Sequence, residues 1–268
     1  MRNYAFLCLI LLTFGNRSLG SEGTSTTKLA KIKNWGAVLA GTLYSGLRPI
    51  SSTENQLSSD IALIPNYKFN KKTKVALILA GTKELEGERK FKWADSNIYI
   101  QQNFNKYGDF SLSGRLYQTI PLSESSTKDR NLTTATKVEP KLNYLFKNFS
   151  FSYAPSLKQY FYKFKTSKTG KINTRYTLSQ KAFIGYSLSE RISIALEAVY
   201  SRAVNYQGTT KDNYSFDQSM TYSATQNTSL TLGHSTGGSP LAANGQDTQI
   251  DIFDKYESTL YFSAGVVY

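Results

Sequence analysis

Five basic residues, Arg115, Lys141, Lys158, Arg175 and Lys181, sit in segments where every second residue is apolar, and each occupies the polar phase. Asp60, Glu197, Asp217 and Glu257 hold the same phase in other segments of this kind. Side chains alternate across a β-strand, so each set is expected on the face opposite an apolar stripe. A basic set gathered on one wall of a narrow passage attracts anions, and an acidic set facing it creates a transverse field. Lys68, Lys74 and Glu139 share the polar phase, and Glu139 is the one acid among the basic segments. Two outcomes follow from this pattern. Either the charges line an open lumen, or they pair across it and plug it.

His234 is the only histidine. It follows Leu230 and Leu232 on the apolar phase, so an exposed position near a strand end is expected. A serine hydrolase needs a hydroxyl within hydrogen-bond reach of the imidazole, and same-face neighbours on a strand are two residues apart. That neighbour is Thr236, and Ser235 points to the other face. A metal site would have one His and scattered carboxylates, with no cysteine beyond Cys8. The glycines of 233–238 form no phosphate loop. No cofactor is expected.

The elements that must position these residues recur with a regular rhythm. Short turns at 70–73, 105–108, 147–148, 189–190 and 226–227 alternate with longer polar stretches at 48–56, 83–93, 121–136, 166–171, 208–212 and 235–254. Turn-forming Asn, Gly, Ser and Lys mark the short ones. Between them lie twelve segments, 34–46, 57–69, 74–82, 95–104, 109–119, 137–146, 149–164, 172–187, 191–206, 213–224, 228–235 and 255–268. A phase change through a bulge is expected near Tyr160–Phe164. Aromatic residues crowd beside the short turns: Trp35, Tyr67, Phe69, Phe104, Tyr107, Tyr144, Phe146, Phe149, Phe151, Tyr186, Tyr222 and Tyr268. A soluble β-sandwich would also use aromatics, but would not gather them at one end of successive hairpins.

The ends and the composition agree. Residues 1–20 read as a secretory signal peptide, with Arg2 before the apolar run Ala5–Leu12 and small residues at Ser18–Gly20. Residues 21–33 are a short polar leader. Cys8 lies inside the apolar run, so the mature chain has no thiol for disulfide or redox chemistry. The net charge is +13 and aromatic residues make up 13% of the chain. No nucleic-acid-binding motif accompanies the basic excess, so an anionic solute or lipopolysaccharide phosphate is the expected partner, not nucleic acid. Average hydropathy is that of a soluble protein, as it is when only alternate residues meet lipid.

The final segment places Leu260, Phe262, Ala264, Val266 and Tyr268 on one face and stops on the aromatic residue. Together with the signal peptide, the hairpin rhythm and the girdles, it resembles the outer-membrane β-barrel superfamily across residues 34–268. The resemblance implies an all-β, closed antiparallel transmembrane barrel of about twelve strands, with periplasmic turns, external loops and periplasmic termini. It implies a C-terminal strand read by the barrel-assembly machinery, and contact with outer-membrane lipid and lipopolysaccharide. No subfamily motif is present. Twelve-stranded relatives include nucleoside and acidic-oligosaccharide channels, a phospholipase and autotransporter translocators, the last with a passenger domain that nothing before Asn34 supplies. Outer-membrane phospholipases and lipid A deacylases place His and Ser two residues apart on a lipid-facing strand, and Thr236 breaks that motif. A non-enzymatic passive channel for small, preferably anionic, solutes is the leading expectation. The alternatives are a non-conducting barrel that binds through its surface loops, among them 83–93 and 235–254, and, more remotely, an outer-membrane lipid esterase.

Overall fold

The computed structural model describes residues 34–47, 57–86, 89–241, 247–254 and 258–268. The signal and leader regions, 1–33, and Glu257 lie outside them. The described chain is almost entirely antiparallel strand. The strands are β1 (Trp35–Gly46), β2 (Leu57–Lys68), β3 (Thr73–Glu84), β4 (Phe91–Trp93), β5 (Ser96–Tyr107), β6 (Phe110–Ile120) and β7 (Leu132–Phe146). There follow β8 (Phe149–Tyr162), β9 (Thr174–Ser187), β10 (Ile192–Asn205), β11 (Thr210–Ser223), β12 (Thr228–Gly238) and β13 (Thr259–Val267).

Each long strand pairs with its sequence neighbour, and β1 pairs with β13, so the sheet closes on itself. Tyr268 completes the seam: its N–H donates to Ala37 O at 2.9 Å, and its carbonyl accepts from Ala37 N at 3.2 Å. The short β4 pairs only with β3 and continues the line of β5 after a break at Ala94-Asp95. The barrel therefore has twelve staves, and closure leaves no unpaired edge for lipid to meet.

Burial is inverted relative to a water-soluble protein. Leu39, Leu43, Ile61, Leu63, Leu112, Leu116, Leu196 and Phe262 are exposed, whereas their alternating neighbours Ala40, Thr42, Ala62, Ser113, Arg115, Glu197 and Ser263 are buried. Apolar exposure continuous around a barrel requires an apolar solvent, and the alternation delivers it from a sequence of modest hydropathy. The outward phase is the apolar stripe of the sequence in every barrel strand whose stripe is distinct.

Several boundaries differ from the sequence reading, each for a local reason. The second short turn, between β5 and β6, falls at Gly108-Asp109, not at 105–108. Gly108 has φ +59°, which glycine adopts without strain, and β5 absorbs an irregularity between Asn103 and Lys106. The expected phase change in β8 is absent. Phe161 stays outward and Tyr160 and Tyr162 inward, because the irregularity falls on the facing strand, between Leu132 and Thr134. β7 begins at Leu132, so the loop before it is shorter than 121–136. That loop holds a π-turn at Ser125–Asp129, tied down by Asp95, whose Oδ1 accepts the N–H groups of Leu122 and Ser123 at 3.1 and 2.9 Å. The stretch 83–93 is partly strand, since β4 pairs Phe91 with Lys83 and Trp93 with Gly81. Likewise β11 starts at Thr210, which leaves a tight turn in place of the loop 208–212.

Candidate functional site: the charged lumen wall

The buried phase of the strands carries the polar chemistry. Arg115 on β6 and Glu139 on β7 are cross-strand partners, 9% and 4% exposed. Arg115 Nε donates to Gln101 Oε1 at 2.8 Å, and its guanidinium lies 3.6 Å from Glu139. Lys137 Nζ bonds Glu139 Oε2 at 2.8 Å and sits 3.9 Å from the centre of the Tyr117 ring. Tyr117 in turn donates to Glu139 Oε1 at 3.2 Å. One carboxylate thus holds a guanidinium, an ammonium and a phenol. Such a buried network keeps its geometry because every partner is satisfied by another.

Lys141 is the next inward residue of β7 after Glu139 and is half-buried. On β8, Lys158 lies opposite Lys137, with its ammonium 5.0 Å from the Tyr160 ring centre. On β9, Lys181 approaches Glu197 of β10 at 3.8 Å. Arg175 shares this phase but departs from the wall. It stands where the β9–β10 register slips, between the pairs Thr174–Asn205 and Tyr176–Val204, and it is exposed. Along β6 to β9 the inward charges are therefore Arg115, Lys137, Lys141, Lys158 and Lys181, with Glu139 the single acid.

The acids gather on the following strands. Glu197 and Asp217 are direct cross-strand partners on β10 and β11, 7% and 8% exposed. Tyr261 of β13 reaches over β12 to donate to Asp217 Oδ1 at 2.9 Å. It can do so because Gly233 lies beneath it on β12, where any Cβ would overlap the ring. Tyr44 of β1 packs beside Tyr261, ring centres 5.9 Å apart, and Thr42 donates to Ser263 at 3.0 Å. Asp60 on β2 sits across from Thr42. Glu257 lies outside the described residues.

The rest of the interior mixes small polar residues, among them Ser96, Ser113, Thr119, Ser152 and Thr231, with one apolar cluster. Ile64, Ala76, Ile78, Tyr99 and Tyr117 form one buried cluster on β2 to β6. Lys137, Tyr117, Gln101, Tyr44 and Tyr261 were absent from the sequence reading. Lys137 and Tyr117 had a signal, since each lies two residues from a charged residue already placed inward. Tyr261 falls on the polar phase of the last strand, but its contact had no signal, because its partner is two strands away and the glycine that permits it is unremarkable in sequence.

Twelve strands spaced ~4.8 Å apart and tilted ~40° enclose a backbone radius of about 12 Å. Long side chains from facing walls span much of that width, so a solute in this lumen is never far from either set of charges.

At the end of the short turns, aromatic rings form a chain on the outer surface. Trp35 meets Tyr67 at 4.8 Å, and Tyr67 meets Phe69 at 5.2 Å. Phe110 contacts Tyr144 at 4.6 Å, Tyr144 stacks on Phe146 at 6.5 Å, and Phe149 contacts Tyr186 at 4.6 Å. Phe104 covers Gly114 from the neighbouring strand. Phe151, Tyr222 and Tyr268 are exposed on the same outward phase.

His234 is not an open rim residue as the sequence suggested. Its ring stacks on Phe253 at 5.3 Å, in a loop that folds back over the outer face of β11 and β12. The same loop is held at Asp251, whose N–H donates to Tyr214 Oη at 2.9 Å. Neither His234 Nε2 nor Thr236 Oγ1 has a hydrogen-bond partner among the described residues. The two are not joined as a base and a nucleophile would be.

No family model matches the chain, and no curated protein does. Solved structures with the same fold do match. The COG4313 outer membrane channel from Pseudomonas putida F1 superposes with a TM-score of 0.59 at 10% identity, covering 87% of this chain and 95% of that one. The NanC porin gives a TM-score of 0.57 at 10% identity, covering 86% and 98%. The KdgM porin gives 0.52 at 6% identity, covering 85% and 98%. At these identities the likeness is one of fold. The chain is a closed, twelve-stave antiparallel barrel whose fold resembles those of outer-membrane channels and porins.

Proposed function

We propose that the protein is a passive outer-membrane channel for small solutes and that it favours anions. The observation that carries this reading is the inward cationic arc of β6 to β9, Arg115, Lys137, Lys141, Lys158 and Lys181, against the single acid Glu139. A low-dielectric wall strengthens the field of such an arc, and a solute within a lumen narrower than a few Debye lengths cannot escape it. The acids Asp60, Glu197 and Asp217 on the remaining strands give the field its direction across the lumen.

In this reading residues 1–20 are removed on export, and β13 with Tyr268 engages the barrel-assembly machinery. The aromatic chain beside the short turns lies at the periplasmic headgroup level, where amphipathic rings are favoured. Outer-membrane lipid and lipopolysaccharide contact the outward face.

A second reading is a non-conducting barrel that acts through its loops. The packing of Tyr99, Tyr117 and the Arg115–Glu139–Lys137 network inside the barrel favours it. Single-channel recording of the purified, reconstituted protein separates the two. Discrete conductance steps support the channel, and a folded protein that never conducts supports the loop-binding barrel.

A further inference from the structure

The acidic side of the lumen has acceptors that the protein does not use. Glu197 and Asp217 face one another across β10 and β11, more than nine-tenths buried. Glu197 Oε1 and Asp217 Oδ2 accept no hydrogen bond from the described residues. Their other oxygens are engaged: Glu197 Oε2 lies 3.8 Å from Lys181 Nζ, and Asp217 Oδ1 accepts from Tyr261 at 2.9 Å. Each carboxylate is therefore oriented by one oxygen and leaves the other buried without a donor.

This arrangement is costly unless something uses it. A buried carboxylate oxygen without a donor forfeits a charge-assisted hydrogen bond, and two adjacent carboxylates repel. Cross-strand neighbours place their Cβ atoms about 5 Å apart, within reach of one small cation between them. A barrel sealed by internal pairing would match these acids with the surplus of lysines on β7 to β9. The chain does so fully at Glu139, with three partners, only through one 3.8 Å contact at Glu197, and with no lysine at Asp217.

The position of Lys181 narrows the ligand. It is the end of the cationic arc and the immediate neighbour of the acidic pair, so the two signs of charge meet at β9 and β10. The Lys181–Glu197 contact is loose, at the outer limit of an ion pair. A solute with a carboxylate and a primary ammonium a few bonds apart would match both at once. Its carboxylate would sit on Lys181, and its three N–H donors would enter between the strands to supply the hydrogen bonds that Glu197 and Asp217 lack. A simple anion gains only the first contact, and a simple cation meets Lys181.

We propose that the lumen carries, at the β9–β11 wall, a subsite for compact zwitterions of the amino-acid type, formed by Lys181, Glu197 and Asp217. The inference rests on the channel reading and deepens it by naming a substrate class. Tyr261 and Gly233 act as positioning residues, since the ring must cross β12 to hold Asp217 in place.

The test is solute flux into proteoliposomes that contain the full mature barrel. Three probes are compared, β-alanine, N-acetyl-β-alanine and β-alanine methyl ester, with the double substitution below as the control for their differing sizes. The wild type should pass the zwitterion several-fold faster than the N-acetyl anion and faster again than the ester cation. Glu197→Gln with Asp217→Asn should abolish the zwitterion advantage and leave the anion rate the same or higher. Tyr261→Phe, which removes one hydrogen bond and no charge, should reduce the advantage without changing ion selectivity. Zwitterion flux no faster than that of the anion in a conducting wild type overturns the subsite and leaves the channel standing. A zwitterion advantage that survives the double substitution also overturns it. A folded wild type that passes none of the three overturns the channel and the subsite together.

Discussion

Gly233 shows how one residue sets the geometry of the acidic wall. Its missing Cβ lets the Tyr261 ring lie flat across β12 and reach Asp217. Gly233→Val should push the ring into the lumen, free Asp217 and lower single-channel conductance. Adding Tyr261→Ala should restore most of the loss, a non-additivity that marks two groups in direct contact. Equal conductance in the single valine variant and the wild type would show that the ring does not narrow the passage. At this scale the sequence was partly legible. The phases of Arg115, Glu139, Lys181 and Glu197 followed from the apolar stripe beside each. The partners Gln101, Tyr117 and Tyr261 did not, because strand alternation gives a residue's face but not the reach of its side chain. Arg175 illustrates the other limit. Its phase is inward, yet a register slip next to it takes it off the wall.

Among the elements, β13 has the clearest assignment. Its apolar stripe from Leu260 to Tyr268 faces outward, and its terminal residue exchanges two backbone hydrogen bonds with Ala37 to close the seam. Deleting Tyr268 removes both seam bonds and a large interfacial side chain. Little heat-modifiable barrel should then reach the outer membrane, and periplasmic fragments should accumulate at unchanged synthesis, as followed by immunoblot of fractionated cells. Normal assembly would show that the seam is held elsewhere. The β5–β6 turn offers a thermodynamic counterpart. Gly108 at φ +59° tolerates no β-branched side chain without strain, so Gly108→Val should cost roughly 1–3 kcal/mol in reversible urea unfolding from lipid vesicles. Element boundaries were legible wherever a stripe ran into turn residues. They failed at β4 and at the start of β7. β4 is three residues long, too short to show alternation, and β7 opens into the mostly polar run 133–137, where hydropathy carries no trace of backbone pairing.

For the molecule as a whole, strand lengths are uneven. β7 to β11 run 14 or 15 residues, whereas about 9–11 suffice to cross the apolar layer. Counted from the short turns, this side of the barrel rises past the lipid. The bidentate Arg202–Asp212 pair, at 2.8 Å on each arm, sits in that extension on the outward phase. A short epitope inserted at Gly208 should bind antibody on intact cells, and one inserted at Lys71 should not; surface labelling of the second would invert the orientation.

The closed barrel was legible from alternation, turn rhythm and aromatic placement together, because all three follow from a lipid solvent. Solute preference was less so, since it depends on which charges are neutralised inside. That question has a direct measurement: the reversal potential of the reconstituted protein in a potassium chloride gradient, for the wild type and for Lys141→Glu with Lys158→Glu. The account predicts a wild-type potential of the sign set by chloride, a shift toward potassium in the double variant, and a smaller shift in the same direction with glutamine at both positions. The same changes at Lys83, near the end of β3, and at Lys90, in the β3–β4 connection, should have little effect. A conducting wild type that prefers potassium, or one whose potential ignores the lumen substitutions, would contradict the cationic arc as the source of selectivity.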